Sequence, residues 1–331
     1  MSREIGSFIE LQFPKGLEYY KGDKNIARLN TGRAAIWYAF RLLGCKSIWL
    51  PYYQCDTVRA FLRRKGVEIK YYHIDTHFNP VDLKPEKDEA VLLVNYYGVM
   101  SANRMRQLAE PFGNAIIDNS QAFFSRPLDG CMNVYSCRKF IGVPDGAYVI
   151  GDKAERFVDD YEQCFSSDTS LFMLQRIEYG CEGKAYQSRQ INEHRIDSED
   201  CMKMSKLTRA ILDGTDYDYI RNKRKENFAI ARDLFDNINC LNAAEYYDDE
   251  TVPMVYPLLI EDDGLLEQLQ KAKHFQGHWW SYLCGELPNT TAENWISRYL
   301  IPITIDQRYG DTELNTICAT VKTMNSLKRS L

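Results

Sequence analysis

Residues 32–43, GRAAIWYAFRLL, set apolar side chains at helical spacing directly after the turn-like Asn30-Thr31-Gly32, which predicts a helix opening near Gly32. Short apolar runs follow at 47–51, 67–72, 90–94, 115–118 and 134–136. Their length is that of strands, and IWL, VLLV and AII are continuous rather than alternating, the pattern of strands buried on both faces. Between them, 56–65 and 103–112 combine helical periodicity with many charges. The order across 32–118 is helix, strand, helix, strand, strand, helix, strand, which predicts a mostly parallel sheet covered by helices. Residues 146–151 read as one further strand and 152–235 as a charged, mostly helical stretch. A second pair of strands is expected at 252–260 and 299–305, separated by a helical segment and the aromatic loop Trp279-Trp280-Ser281-Tyr282. The expected organisation is a large domain over 1–225 and a smaller C-terminal α/β domain over 226–331.

Composition narrows the class. At roughly 150 residues per domain, 331 residues suit two units, and 45% hydrophobic with 26% charged residues is an ordinary globular mixture. The formal charge of -5 supplies no global field for nucleic acid, and no apolar run approaches the roughly 20 residues that span a bilayer. The opening MSREIGSFIELQF carries an acid at position 4 and no continuous apolar stretch, so a secretory leader is not expected. Ten cysteines without a CxxC suit reduced thiols, and a cytoplasmic protein is expected. The Asn289-Thr290-Thr291 sequon is then a chance match. The basic stretch Arg221-Asn222-Lys223-Arg224-Lys225 reads as a solvated helix face. His73 with His77 and His274 with His278 have ligand-like spacing but neither the Glu of a zincin nor a third ligand, so no metal is expected.

Four features fall where a parallel sheet carries its ligands, at strand carboxyl ends and helix starts. Asn30-Thr31-Gly32-Arg33 opens a helix whose free N–H groups suit an anion, with Arg33 as a possible charged fork and an ordinary capped start as the plain alternative. Ile116-Ile117-Asp118-Asn119-Ser120-Gln121 delivers a carboxylate at a strand end, a place also common for turn residues. Tyr135-Ser136-Cys137-Arg138-Lys139-Phe140-Ile141-Gly142 follows a strand with a hydroxyl and a lysine. Phe140 and Ile141 beside Lys139 suggest partial desolvation, which suits an amine nucleophile, whereas a lone lysine ordinarily snorkels at the surface. Val143-Pro144-Asp145-Gly146-Ala147 forms a turn into the next strand. An anion cradle, a carboxylate for a cationic nitrogen, an amine and a rigid turn are the parts that pyridoxal phosphate requires. Cys137 beside Arg138 is read as a core or loop thiol.

In this order the motifs resemble those of fold-type-I pyridoxal-phosphate enzymes, closest to the sugar aminotransferases of the DegT/StrS family. The resemblance rests on Thr31-Gly32-Arg33-Ala34-Ala35, Asn95-Tyr96-Tyr97-Gly98, Ile117-Asp118-Asn119-Ser120-Gln121, and Tyr135-Ser136 with Lys139 and Asp145-Gly146-Ala147. It extends more faintly to Leu287-Pro288 and Leu300-Ile301-Pro302-Ile303. It implies an aspartate-aminotransferase-like α/β fold and pyridoxal 5'-phosphate as cofactor. By the same resemblance Lys139 forms the aldimine and shuttles the proton, while Asp118 pairs with the pyridinium nitrogen. Gln121 contacts the ring or its hydroxyl, and Thr31, Gly32, Arg33 and Ser136 belong to the phosphate site.

The implied activity is transfer of an amino group from an amino acid such as glutamate to a keto group on a nucleotide-linked sugar, in a homodimer. Arg126, Lys184, Arg189 and Arg308 are the basic groups available for a diphosphate. The departures are specific. Arg33 stands where the family usually has Thr, and the step from Ser136 to Lys139 is about two residues short. Cys55 falls where an aromatic commonly stacks on the ring, leaving Tyr52, Tyr53 or Tyr97 to replace it. Ala147 replaces a glycine, and at Cys201-Met202-Lys203-Met204-Ser205, where the family reaches the neighbouring subunit, only Met-Ser is plain. These departures motivate the alternative of a relative with a different pyridoxal-phosphate reaction or a non-catalytic binding role. Trp279 and Trp280 are expected either to wall the substrate site or to pack between domains.

Overall fold

The structure is a computed structural model that describes residues 5–23, 25–242 and 245–329; residues 1–4, part of the stretch read for a leader, lie outside the described residues. The elements run β1 (Ile26–Leu29), α1 (Gly32–Leu43), β2 (Ser47–Pro51), α2 (Asp56–Arg64), β3 (Glu68–Ile74), β4 (Pro80–Val81) and β5 (Glu89–Val94). Then come α3 (Ala102–Ala109), β6 (Ala115–Asn119), β7 (Met132–Ser136), β8 (Ala147–Ile150), α4 (Leu171–Tyr179), α5 (Lys184–Ser198), α6 (Lys206–Asp213) and α7 (Tyr217–Phe235). The chain closes with β9 (Val255–Leu259), α8 (Leu265–Lys271), α9 (Leu283–Glu286), α10 (Ala292–Tyr299), β10 (Leu300–Thr304) and α11 (Asp311–Arg329).

The main sheet has eight strands in the order β1-β8-β7-β6-β5-β2-β3-β4. The run β7-β6-β5-β2-β3 is parallel, while β8 lies antiparallel to both β7 and β1, and β4 antiparallel to β3. β9 and β10 form a separate antiparallel pair. The mostly parallel sheet read from the sequence is present, as is each strand run named there. β1 and β4 were not anticipated, because four and two residues are too short to show a period.

Each buried strand faces two cores, the reason its residues are continuously apolar. Leu92 of β5, Ile116 of β6 and Val134 of β7 pack with Ala34, Ala35 and Tyr38 of α1, while Leu93 and Ile117 pack with Phe228 of α7 and Leu258 of β9. The C-terminal segment thus covers the face opposite α1, and α7 runs through the expected boundary at 225. Thr31 starts α1 by accepting from the Ala34 N–H at 3.3 Å, and Gly44 stops it with φ of 66°. The edge strand β1 is covered by 202–204, whose backbone pairs with Arg28 and Asn30 at 3.0 Å, so Cys201 and Met204 are buried within their own chain.

The stretch 152–235 departs from its reading in two ways. Its first part, 152–170, is turns and short 3-10 segments rather than long helix. Arg224 is not on a solvated face: it is 2% exposed, donates to the Met254 carbonyl at 2.8 Å and to Gln307 Oε1 at 3.2 Å, and lies 4.4 Å from the Phe140 ring centre. A charged residue in a polar helix gives no sign in sequence that a carbonyl and a ring await it. No helix among the described residues is long and apolar enough to cross a membrane.

Two buried constraints generate predictions. Gly98 has φ of +71° and a Cβ there would sit 2.2 Å from the Gln121 carbonyl oxygen. Gly98→Ala should cost at least about 2 kcal/mol, read as a fall in the urea midpoint at unchanged slope. At the other end of β5, burial opposes ionisation of Glu89, but bonds from Lys70 (2.5 Å), Trp49 (2.7 Å), the Glu86 N–H (3.0 Å) and Ser47 (2.8 Å) outweigh it and hold its carboxyl down to about 2. A depressed carboxyl stabilises the fold above its unfolded pKa of about 4.3 and loses that contribution as pH falls to about 2. The melting-temperature gap between wild type and Glu89→Gln should therefore be widest near neutrality and shrink across that window.

Candidate functional site

The start of α1 abuts the carboxyl ends of β6 and β7. Strand alternation puts Asp118 on the face of Ile116 and Ser136 on the face of Val134, both toward α1. A Cβ on Gly32 would lie 3.1 Å from Ser120 Oγ and 3.7 Å from Ser136 Cβ, so glycine permits the approach. Ser120 and Ser136 are buried residues whose hydroxyls accept or donate no hydrogen bond among the described residues. The first two N–H groups of α1, on Gly32 and Arg33, likewise lack an acceptor there. Free helix N–H groups and two hydroxyls around one point form an anion cradle, the fit a phosphate monoester needs.

Asp118 is buried, and its Oδ1 accepts the Ser120 N–H at 2.9 Å while Oδ2 has no partner among the described residues. Gln121 Oε1 accepts the Tyr97 N–H at 2.7 Å, which leaves only its amide nitrogen for a ligand. Tyr97 holds φ of 58°, a left-handed backbone uncommon for an aromatic, and its carbonyl accepts the Met254 N–H at 2.8 Å. Its hydroxyl pairs with that of Tyr53 at 2.5 Å, and burial pushes both phenols up.

Lys139 closes the short turn after β7. It is exposed and without a partner among the described residues, in contrast to the desolvation suggested by Phe140 and Ile141. Those two side chains turn into the core with Tyr20, Phe123 and Tyr148. Behind it, Gly146 adopts φ of +114° against Cys137 and Thr208, and the fully buried Asp145 accepts from Cys164 at 3.2 Å, so the following turn is rigid. Burial, with Asp145 and Glu18 adding repulsion, pushes the Cys137 thiol well up, as fits a core thiol.

Arg33 is already engaged: it pairs with Asp197 of α5 at 2.8 Å and donates to the Ile196 carbonyl. Arg138, which the sequence reading did not select, pairs with Glu193 of the same helix. Ser120 was also missed, although it lies two residues beyond Asp118 inside the quoted motif. Cys55 starts α2 and meets Thr57 at 3.1 Å, whereas Tyr52 stacks on Tyr71 at 5.0 Å. Trp279 stacks on Tyr97 at 5.4 Å and Trp280 meets Tyr53 edge-on at 4.5 Å, so the aromatic loop packs the C-terminal segment onto the large domain beside the site.

A cavity of about 460 Å³ has Asn95, Gly98 and Ala122 in its wall, with Arg106, Arg126, Arg221 and Lys225 set against Asp248 and Glu250. Of the four basic residues considered for a diphosphate, Arg126 lines this cavity, Lys184 and Arg189 lie on α5, and Arg308 is paired with Asp306 at 2.7 Å. Among the described residues no group of three or more His, Cys, Asp and Glu is placed to hold a metal ion; His73 faces Glu293 at 3.0 Å and His77 faces Glu245 at 3.1 Å.

No family model and no curated relative matches the sequence. Solved structures do resemble the fold. The sugar aminotransferase CalS13 from Micromonospora echinospora is 16% identical with a TM-score of 0.61, over 91% of this chain and 88% of that one. DesI, solved with its TDP-sugar product, is 14% identical with a TM-score of 0.62 over 91% and 81%. The GDP-4-keto-6-deoxy-D-mannose-3-dehydratase of E. coli, solved with hydrated pyridoxal phosphate, is 12% identical with a TM-score of 0.61 over 90% and 88%. With its mostly parallel sheet and flanking helices, the chain has the architecture of the fold-type-I pyridoxal-phosphate aminotransferases.

Proposed function

We propose that the protein is a pyridoxal-phosphate-dependent aminotransferase that moves an amino group from glutamate to a keto group of a nucleotide-linked sugar. The observation that carries the reading is the unpartnered set at the strand ends: Ser120 Oγ, Ser136 Oγ and Asp118 Oδ2, around the free N–H groups that start α1. When bound, the cofactor supplies an electron sink for the carbanion at the amino carbon.

In this reading Gly32, Arg33, Thr31 and Ser136 belong to the phosphate site, and Ser120 joins them. Asp118 Oδ2 would hold a proton on the ring nitrogen, and the Gln121 amide nitrogen would be the group left for the ring hydroxyl. Lys139 Nζ would attach the cofactor and carry the proton at the donor carbon. Its exposure leaves room for that movement. Support for the acceptor comes from DesI, solved with a TDP-sugar product. The E. coli dehydratase supports a second reading on the same scaffold, removal of water from the sugar; nitrogen from labelled glutamate appearing in product separates the two.

We place the large domain at 1–225 and the small one at 226–331, the latter supported by the separate β9–β10 pair, with α7 as the continuous helix that joins the two. A homodimer in the cytoplasm completes the proposal. Its support is the DegT/StrS resemblance for the dimer, and ten cysteines without a disulfide for the reducing compartment.

The test is the visible spectrum of the chain with pyridoxal phosphate, before and after borohydride, with mapping of the labelled peptide. Label on Lys139 is expected, lost in Lys139→Ala; label elsewhere or none defeats the assignment. Asp118→Asn should keep the label yet lower turnover by at least about 100-fold, since the ring nitrogen loses its anionic partner.

A further inference from the structure

Two arginines lie within two residues of cradle residues along the chain, and both are held by one helix. Arg33 follows Gly32 and Arg138 follows Ser136 by two residues. Their partners, Asp197 and Glu193, are four residues apart and share a face of α5. Arg33 also takes the Ile196 carbonyl in the last turn of α5, where the helix dipole is negative. The arrangement brings two carboxylates and a helix carboxyl end to guanidinium groups that stand at a helix amino end.

The guanidinium groups are not saturated. Arg138 Nε is buried and has no partner among the described residues, so one donor of that guanidinium is unused. Burial pulls the Arg138 guanidinium below its ordinary pKa; Glu193 opposes this, and Arg189 and Arg33 add repulsion. Such a cluster gains from a further anion.

The attachment of α5 is polar. Its buried side chains are Ala185, Asn192 and Ile196, and Asn192 donates to the Pro144 carbonyl at 3.0 Å. Beyond Arg33 and Arg138, its end is held by Arg64, which donates to the Asp197 and Glu199 carbonyls at 3.4 and 3.0 Å. Little apolar area locks the helix in place, so ion pairs set its hold on the body.

We propose that Arg33 and Arg138 form a phosphate clamp supplied by a single subunit, and that Glu193 and Asp197 of α5 compete with the phosphate monoester for it, so that α5 sets the affinity of the site. The proposal rests on the pyridoxal-phosphate reading for the source of the phosphate. It assigns to Arg138 a binding role and to the two carboxylates a tuning role. Salt weakens both the ion pairs and the anion contact, so the effect of the carboxylates is largest at low ionic strength.

The test is titration calorimetry of the full chain with inorganic phosphate, pyridoxal 5'-phosphate and pyridoxal. Arg138→Gln and Arg33→Gln should each weaken inorganic phosphate and pyridoxal 5'-phosphate at least about tenfold and leave pyridoxal unchanged. Arg138→Lys, which keeps charge without the fork, should fall between. Glu193→Gln and Asp197→Asn should tighten inorganic phosphate about threefold or more at low salt, with the gain fading as salt rises. Circular dichroism and melting temperature verify that each variant is folded. Unchanged phosphate affinity in folded Arg138→Gln, or unchanged affinity in both carboxylate variants, overturns the clamp. If Lys139 takes the borohydride label while folded arginine variants bind pyridoxal 5'-phosphate as wild type does, the clamp fails and the cofactor reading stands. If phosphate obeys the clamp while no lysine is labelled, the cofactor reading fails and the clamp stands.

Discussion

The close approach of α1 to the ends of β6 and β7 is the constraint on which the site depends. Gly32 allows it, because a Cβ there would meet Ser120 Oγ at 3.1 Å, and Ala34 and Ala35 let the helix lie flat on the sheet. Once the helix start is seated, its unpaired N–H groups, the hydroxyls of two buried serines and the Asp118 carboxylate face one region. Apart from Asp118 Oδ1, which takes the Ser120 N–H, these groups find no partner among the described residues. Ser120 Oγ, Ser136 Oγ and Asp118 Oδ2 are left without a partner among the described residues at one strand end, which is why the set reads as a site rather than as packing.

The rest of the architecture steadies that approach. Tyr97 is held in a left-handed conformation by Gln121 on one side and Met254 on the other, so the loop after β5 is tied both to the strand end of β6 and to the C-terminal segment. Phe140, next to the exposed Lys139, is fixed by Arg224 above its ring and by Gln307, which donates to its carbonyl at 3.0 Å. The lysine therefore sits on a turn that is rigid on its far side and open toward solvent. Stiff backbone beside a free side chain is the combination on which the role proposed for Lys139 depends.

Charge organises the other side of the cradle. A positive helix start with Arg33 and Arg138 close by would repel itself, and α5 answers with Asp197, Glu193 and its own carboxyl end. Because α5 buries so few apolar side chains, this balance is electrostatic and open to adjustment. Leu171, Leu174 and Ile177 of α4 stay exposed, and the neighbouring α5 is tied to the body largely through polar contacts.

The hydrophobic pattern by itself determined the order of helices and strands, the start of α1 and the parallel core, because continuous apolar runs of strand length can be buried only between two helical layers. It also brought Asp118, Ser136 and Lys139 to strand ends, since those positions follow directly from where the runs stop. Only the tertiary structure decided that Ser120 and Gly32 touch, that Arg224 turns inward, that Lys139 is exposed while its neighbours are buried, and that Arg33 and Arg138 answer to one helix. Arg138 and Glu193 are 55 residues apart. A polar residue shows no periodicity that names its partner, so such pairs are set by the packing of elements, whereas apolar runs declare their burial locally.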